Sequence, residues 1–383
     1  MCVVAGRMYD LSAVRLPERT PWPSVKNFAV AMASLYDWDT LLLDGGARNS
    51  MPGGDVSLCS NSWPCHLKVI GPGTISASAG FSISCDDTDG CTGMEFDSVN
   101  VPEEGRADGF SLHLSGASLE TSNSTFSGAR VTVRGAKLDM RSSTCVDCNF
   151  VLERGAQLFV YLTNFLGGAS SCTLPLLYLY SGTSASIESC KFENLHSSSS
   201  GAVLLVMGSQ LEVVDSTFSN CSSGGSGGAI HGEPLANQGG EMRSSIVVMS
   251  SIFSDCQAAA TGGGVSAKAS GTSVYVSNSS FARCRSKRSG GAIHSSDGSP
   301  LTVTAGTSFL ECSATEYGGA VTVINGGYIV LESSTFRNCT ASNRGGAVFV
   351  SGGGSPAPPQ VYQGVGFGAT SLGAWGEVEE VCT

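Results

Sequence analysis

The sequence predicts an all-β protein, a single-stranded right-handed parallel β-helix of about 11–13 coils. Three observations support this fold class: a composition rich in glycine, an internal repeat with fixed spacing, and strand-like alternation inside each repeat. The chain has 383 residues, of which 50 are glycine; 41% are hydrophobic and only 14% are charged. Such a composition is too apolar for a disordered chain and too rich in glycine for a helical one. Many short strands separated by turns fit it best.

The repeat combines Phe-x-x-Cys with a Gly-Gly pair that begins six residues after the cysteine. Five copies keep this spacing: Phe218, Cys221, Gly227 and Gly228; Phe253, Cys256, Gly262 and Gly263; Phe281, Cys284, Gly290 and Gly291; Phe309, Cys312, Gly318 and Gly319; Phe336, Cys339, Gly345 and Gly346. A second fixed offset places a glycine ten residues before the phenylalanine, as in Gly116 and Phe126, and predicts an earliest copy at Gly71 and Phe81. The repeat therefore predicts a solenoid in which each unit packs on its neighbours.

Within each unit, apolar residues alternate with polar ones, which is the pattern of a strand with one buried face. Leu211 and Val213, seven and five residues before a repeat phenylalanine, are expected to point into the core. Residues between these two positions, such as Glu120, Asp139 and Phe159, are expected to face outward. Strands of successive coils then pair in parallel, and their inward side chains form one continuous core.

The predicted β-helix covers residues 24–350. A helix at 24–36, where apolar residues recur with helical spacing, is expected to cap its first coil. Residues 1–23 are expected to be a poorly ordered extension, and residues 351–383 a Gly/Pro-rich tail.

Six cysteines occupy equivalent positions and are expected to stack as a ladder of buried thiols rather than to form a metal or redox site. These are Cys148, Cys221, Cys256, Cys284, Cys312 and Cys339. The Cys145-x-x-Cys148 segment resembles a redox motif. The repeat explains it differently, because Cys145 stands at a phenylalanine position.

The remaining chemistry in the sequence is sparse. Cys59 and Cys65, and likewise Cys85 and Cys91, are separated by five residues and are candidates for local disulfides. Asp86, Asp87 and Asp89 form the best candidate metal site, for calcium, since they offer oxygen ligands beside a turn glycine. No other cofactor is predicted.

Two further groups of residues are interpreted as structural. His231 and His294 share a position two coils apart, too far to bind one metal ion, and are expected to point outward from a strand. Phe159, Tyr161, Tyr178 and Tyr180 suggest a sugar-stacking patch, although core packing is the favoured interpretation. The basic segment at 283–288 is interpreted as a solvated turn.

The bulk properties limit the class of partner and compartment. A net charge of −11 argues against nucleic acid and anionic membranes as partners. Fifteen cysteines and four Asn-x-Ser/Thr sequons favour an extracellular or cell-surface protein. The N-terminus has no clear signal peptide, so a secreted chain would be a fragment without its leader, and no apolar stretch approaches a membrane span.

The Gly-Gly-Ala-Ile and Phe-x-x-Cys pair resembles the repeat of chlamydial polymorphic outer-membrane proteins, where the second element is Phe-x-x-Asn. The segment Asp39–Gly46 (DTLLLDGG) resembles the first coil of pectin-lyase-like right-handed β-helix proteins. These resemblances cover residues 40–350 and imply a β-helix and a surface adhesin. The sequence departs from the repeat by placing cysteine where the family has asparagine.

Two functions follow as hypotheses. The first is a non-catalytic extracellular or cell-surface β-helix repeat protein, an adhesin-like binding or structural scaffold whose partner is a carbohydrate or a surface protein. The second is a divergent carbohydrate-active enzyme, a polysaccharide lyase or glycoside hydrolase, with its site within residues 80–180. No catalytic residue is assigned, because the Asp86-Asp87 and His231-Gly232 segments lie on distant coils and a paired acid and base must be about 5–10 Å apart.

Overall fold

The structure is a computed structural model that describes residues 93–101, 111–168, 174–237 and 240–352, together with short strands between residues 3 and 86 and between 361 and 367. The chain divides into two compact units, Met1–Phe165 and Leu166–Thr383. In each unit, parallel strands from successive turns of the chain stack into long sheets. The predicted fold class, an all-β parallel solenoid, is confirmed.

The first unit contains three parallel sheets. Sheet A consists of Thr40–Leu42, His66–Ile70, Gly93–Asp97, Ser118–Ser122, Lys137–Arg141 and Gln157–Tyr161, preceded by the antiparallel strands Val3–Val4 and Arg7–Met8. Sheet B consists of Arg48–Met51, Thr74–Ala77, Asn100–Val101, Thr125–Ser127, Thr144–Val146 and Asn164–Leu166, whose last residue opens the second unit. Sheet C consists of Gly54–Ser57, Phe81–Asp86, Ser111–Ser115, Arg130–Arg134 and Asn149–Glu153.

The second unit repeats these sheets and adds a fourth. Its sheet A consists of Ser184–Glu188, Gln210–Val214, Ser244–Met249, Thr272–Ser277, Leu301–Thr304, Ile329–Glu332 and Val361–Gln363. Its sheet B consists of Lys191–Glu193, Thr217–Ser219, Ile252–Ser254, Ser280–Ala282, Ser308–Leu310, Thr335–Arg337 and Gly366–Phe367. Its sheet C consists of Leu177–Tyr180, Leu204–Met207, Ile230–Glu233, Val265–Lys268, Ile293–Ser296, Val321–Ile324 and Val348–Ser351. Sheet D consists of His196–Ser197, Ser222–Ser223, Gln257–Ala258, Arg285–Ser286, Ser313–Ala314 and Thr340–Ala341, and an antiparallel hairpin joins Leu235–Asn237 to Gly240–Met242.

Left-handed residues turn the chain from one sheet to the next. Asp215 (φ 47°) lies between sheets A and B, and Asn220 (φ 51°) lies between sheets B and D. Asp and Asn tolerate this conformation better than most residues. Each is followed by a small buried residue, Ser216 and Cys221 respectively. Both turns therefore bury a small side chain directly after the left-handed residue.

The repeat phenylalanines form a stacked column in the core of the second unit. Phe192, Phe218, Phe253, Phe281, Phe309 and Phe336 are all buried, and successive ring centroids lie 4.5–5.2 Å apart. In the first unit, Cys145 pairs in register with Phe126, at a phenylalanine position. Phe81 is different: it begins a strand of sheet C, and Thr74 is the residue that pairs with Asn100 in sheet B. The expected earliest copy at Phe81 is therefore wrong.

Close backbone packing requires the second glycine of the first four Gly-Gly pairs. A Cβ on Gly263 would lie 2.2 Å from the carbonyl oxygen of Gly291 in the following coil, and one on Gly228 would lie 2.0 Å from that of Gly263. Backbone atoms cannot move away at low cost, so only glycine fits. Consecutive coils stack directly at this corner.

No helix occurs among the described residues, and none of them forms a helix able to cross a membrane. The predicted capping helix at 24–36 lies outside the described residues, as do most of the expected extension and tail. Sheet A contributes six parallel strands in the first unit and seven in the second among the described residues, which agrees with the expected number of coils.

Candidate functional site

The outer face of sheet A in the first unit carries a row of charged and aromatic side chains, one from each successive strand. Glu95 pairs in register with Glu120, Glu120 with Asp139, and Asp139 with Phe159. Paired strands lie about 4.8 Å apart, so three carboxylates and an aromatic ring follow one another at this spacing. We call Glu95, Glu120, Asp139 and Phe159 the central row.

A second row runs beside the central row, two residues further along each strand. Asp97 pairs in register with Ser122, Ser122 with Arg141, and Arg141 with Tyr161. The Asp97 carboxylate accepts a hydrogen bond of 2.9 Å from the Ser122 hydroxyl. We call Asp97, Ser122, Arg141 and Tyr161 the flanking row.

Alternation within each strand explains why these side chains point outward. In the strand Lys137–Arg141, Leu138 and Met140 are buried in the core, so Lys137, Asp139 and Arg141 lie on the opposite face. The period of two in a strand requires this arrangement. The same pattern in the strand Gln157–Tyr161 exposes its two aromatic residues.

Asp139 is fixed between two cations. Arg141 donates two hydrogen bonds of 2.9 Å, one to each carboxylate oxygen, and the Lys137 ammonium donates one of 3.0 Å. The hydrogen bonds from Arg141, supported by Lys137, lower the pKa of the Asp139 carboxyl despite its burial. Asp139 is therefore ionised at neutral pH, but it is only 5% exposed and both of its oxygens already accept hydrogen bonds from the two cations.

Two aromatic side chains at the end of the rows remain open to solvent. Phe159 is 41% exposed and Tyr161 is 43% exposed. The Lys137 ammonium lies 5.3 Å from the Phe159 ring centroid, a cation–π contact that orients the ring. Two exposed rings on one strand, next to charged hydrogen-bonding groups, form a surface patch that packing of the core does not explain.

This placement corrects the expectation that the aromatic residues pack in the core. Phe159 and Tyr161 face solvent, while Tyr178 and Tyr180 are half-buried on the outer face of sheet C in the second unit. The Tyr178 and Tyr180 ring centroids are 5.8 Å apart, and the Tyr178 hydroxyl donates to the Met207 sulfur. Strand alternation explains the difference, because all four rings occupy outward positions.

The two histidines stand at outward positions of their strands, yet both are buried. His231 and His294 each pair in register with Ser266, so they lie two coils apart as expected, but only 6% and 5% of their surface is exposed. The Gly-Gly corner covers them: a Cβ on Gly290 would lie 3.0 Å from the Cβ of His294. Within the part of the chain described, neither Nδ1 atom has a hydrogen-bond partner, and burial lowers the pKa of His294 to about 4.

The cysteine ladder is a structural feature of the turn between sheets. Each thiol is buried and contacts the backbone carbonyl of a phenylalanine in the preceding coil, as Cys256 does with Phe218 at 3.7 Å and Cys312 with Phe281 at 3.4 Å. None of the six ladder cysteines forms a disulfide. Burial raises the pKa of the Cys221 thiol well above its ordinary value. Such a thiol stays protonated and is a poor nucleophile.

The candidate calcium and disulfide residues lie only partly within the described residues. Asp86 and Cys85 lie in the strand Phe81–Asp86, whereas Asp87, Asp89 and the other three cysteines of the candidate pairs (Cys59, Cys65 and Cys91) lie outside the described residues. Both assignments stay predictions. Within the described ranges, no group of three or more His, Cys, Asp or Glu side chains is placed to hold a metal ion.

Two features escape the sequence analysis. Glu95 is not assigned to the outward positions because Val101 stands where a phenylalanine marks later units, six residues downstream. The second such feature is a ladder of buried hydroxyls between sheets A and B. The Ser216 amide donates a hydrogen bond to the Ser251 hydroxyl, and the Ser251 amide donates one to the Ser279 hydroxyl, both at 3.1 Å. The serine or threonine two residues before each phenylalanine of the five Phe-x-x-Cys copies is the signal that could have revealed it.

No family model matches this sequence, and no curated protein matches it. Among solved structures, tailspike protein 3 of bacteriophage CBA120 is similar at 11% identity and a TM-score of 0.34; the match covers 93% of this chain and 61% of that one. The A-module of the mannuronan C-5 epimerase AlgE4 from Azotobacter vinelandii is similar at 10% identity and a TM-score of 0.29, over 85% of this chain and 88% of that one.

Proposed function

We propose that this protein is a non-catalytic, extracellular or cell-surface β-helix that binds a glycan along the outer face of sheet A in its first unit. The observation that carries the proposal is the pair of exposed rings, Phe159 and Tyr161, at the end of two rows of hydrogen-bonding side chains. Sugar rings present apolar C–H faces that stack on aromatic rings, and hydroxyls that donate to carboxylates. Both requirements are met on one surface.

The charges of the two rows favour a neutral glycan over an acidic one. The rows hold the carboxylates of Glu95, Asp97, Glu120 and Asp139, and Arg141 as their one cation. Arg141 is already hydrogen-bonded to Asp139. A uronate or sulfate placed here would meet more carboxylates than cations, whereas neutral sugar hydroxyls would meet acceptors.

Binding at a cell surface is consistent with the adhesin-like repeat. The Phe-x-x-Cys and Gly-Gly elements build the coil, as seen at Phe253 and Gly263, and leave the outward positions free to vary. A scaffold of this kind presents ligand-binding side chains on a rigid sheet. The resemblance to polymorphic outer-membrane repeats supports the same role.

A glycan array tests the proposal. Wild-type protein should bind a subset of neutral glycans, and the double variant Phe159→Ala/Tyr161→Ala should bind the same glycans about tenfold more weakly or worse. Tyr275→Ala is the matched control, because Tyr275 is 39% exposed on sheet A of the second unit, between Val247 and Thr302. Equal losses in the control and the double variant, or no glycan bound by the wild type, would refute the proposal.

A carbohydrate-active enzyme is the second candidate, and one observation favours it. Glu95, Glu120 and Asp139 lie in register on adjacent strands about 4.8 Å apart, a spacing from which two carboxyl groups can reach the separation of about 5–10 Å that glycoside hydrolases use. In that case ionised Asp139 would be the base or nucleophile, and Glu120 the acid. Incubation with polysaccharides, with and without calcium, should release products only if this candidate is correct, and Glu120→Gln should then abolish the release.

A further inference from the structure

An open groove crosses the outer surface of the second unit at sheet D. Its volume is about 550 Å³, within the range of small-ligand sites. It follows the register in which Ser222, Gln257, Arg285, Ser313 and Thr340 occupy equivalent positions on five successive strands. At about 4.8 Å per strand, the groove extends for about 19 Å.

The lining of the groove is polar and contains no negative charge. Serine, threonine, alanine and one glutamine make up the lining apart from two cations, Arg285 and Lys287. No acidic or aromatic residue belongs to this lining, all of which lies in the described part of the chain. A positive groove on a protein of net charge −11 is an uncommon local feature.

The surrounding ion pairs show that these two cations are distinct from their neighbours. Arg283 is bound to Asp255 at 2.7 Å, and Arg288 lies 3.5 Å from Glu316. In contrast, no carboxylate among the described residues lies within ion-pair distance of Arg285 or Lys287. Two cations of the basic segment therefore pair with carboxylates, and the other two line the groove.

We infer that this groove is a second ligand site, which binds a hydroxyl-rich oligosaccharide carrying a carboxylate or sulfate group at Arg285 and Lys287. Arg285 lies on the middle strand of the five and Lys287 directly follows that strand, so an anionic group would bind near the centre. Gln257 and Ser313, on the strands to either side, supply uncharged donors and acceptors for sugar hydroxyls. Charge-assisted bonds to the anionic group would provide most of the selectivity.

The lining argues against other polyanions. Single-stranded nucleic acids need aromatic side chains for base stacking and a run of cations for the phosphates, and the groove offers neither. Two cations match one or two anionic groups. The inference is independent of the central row, because it rests on side chains of the second unit alone.

Binding of three dextrans that differ only in substitution tests the inference: neutral dextran, carboxymethyl dextran and dextran sulfate. At least one charged dextran should bind to the full chain, and its affinity should fall as the salt concentration rises. Neutral dextran should bind at least tenfold more weakly than that charged dextran. The stronger of the two charged probes identifies the anionic group as carboxylate or sulfate. Equal binding of all three, or binding of none, would overturn the inference.

Two double variants separate the groove from general electrostatics. Arg285→Ala/Lys287→Ala should weaken binding of the charged dextran at least tenfold. Lys191→Ala/Arg337→Ala removes the same charge from exposed positions on sheet B and should leave binding within about twofold. Similar losses in both variants would overturn the inference. Circular dichroism spectra matching the wild type would show that each variant is folded.

Discussion

Phe253 lies in the middle of the phenylalanine column, and its truncation tests how the coils are held together. Its ring centroid is 4.5 Å from that of Phe218 and 4.7 Å from that of Phe281, with interplanar angles of 5° and 8°. Each neighbour is stacked in turn on the next ring, Phe192 on one side and Phe309 on the other. Neither neighbour can therefore move into a cavity at the position of Phe253 without leaving its own partner.

The expected cost of Phe253→Ala lies at the upper end of the range for such changes. Burial of the ring is complete, and truncation of a buried phenylalanine costs about 3–5 kcal/mol, more where the site cannot collapse. We expect a loss of about 4–5 kcal/mol in the free energy of unfolding. Phe159→Ala is the matched control: the same substitution at a 41% exposed ring should cost about 0.5 kcal/mol or less.

Urea unfolding followed by far-ultraviolet circular dichroism measures both values. Because repeat units can unfold separately, hydrogen exchange of the strands Thr217–Ser219 and Ser280–Ala282 should be measured in parallel. We expect faster exchange there in Phe253→Ala than in Phe159→Ala. If the two variants lost equal stability, the column would not be what stabilises the second unit, and the reasoning would be refuted.

Three further predictions follow from the corners and ladders. Gly263→Ala should cost about 3 kcal/mol or more in unfolding free energy, because its Cβ would meet a backbone oxygen. The control Gly326→Ala, at φ 83° with open space around it, should cost about 1–2 kcal/mol. Equal costs for the two variants would contradict the packing argument. Burial lowers the pKa of His294 from 6.5 to about 4, so between these pH values the unfolded chain binds a proton that the folded chain does not. The free energy of unfolding should therefore fall by about 3 kcal/mol as the pH falls from about 6.5 to 4. A titration of stability in which His294→Gln keeps the whole of that slope would disprove the assignment. Maleimide labelling read by peptide mapping should leave Cys221, Cys256 and Cys284 unmodified in the folded protein and modify them in urea; rapid native labelling would show that the ladder is accessible.

The sequence was sufficient for the coil because its signals are local and repeated. The phenylalanine and glycine positions represented by Phe218 and Gly228 recur at fixed offsets, so their shared place in successive coils follows from the spacing in the sequence. Phe81 shows where spacing alone is not sufficient. Its offset from Gly71 matches the repeat, but the pairing of Thr74 with Asn100 sets a different register. A single matching offset does not determine register where the other repeat residues are missing.

The candidate site was harder to predict because the exposure of each outward side chain depends on which other residues cover it. Alternation gives the direction of His294 and Phe159 equally well, since both point outward from their strands. Only the three-dimensional structure shows that the Gly-Gly corner buries His294 while Phe159 stays 41% exposed. The outward direction of Asp139 was predicted from the pattern, but its clamp by Lys137 and Arg141 arises from side-chain conformations that no periodicity encodes.

The most direct test of the central claim is a crystal structure of the protein with a neutral oligosaccharide selected on the glycan array. We expect a sugar ring stacked on Phe159 or Tyr161, with its hydroxyls within hydrogen-bond distance of Glu120. Sugar bound only at other surfaces, with both aromatic rings left open to solvent at saturating ligand, would contradict it.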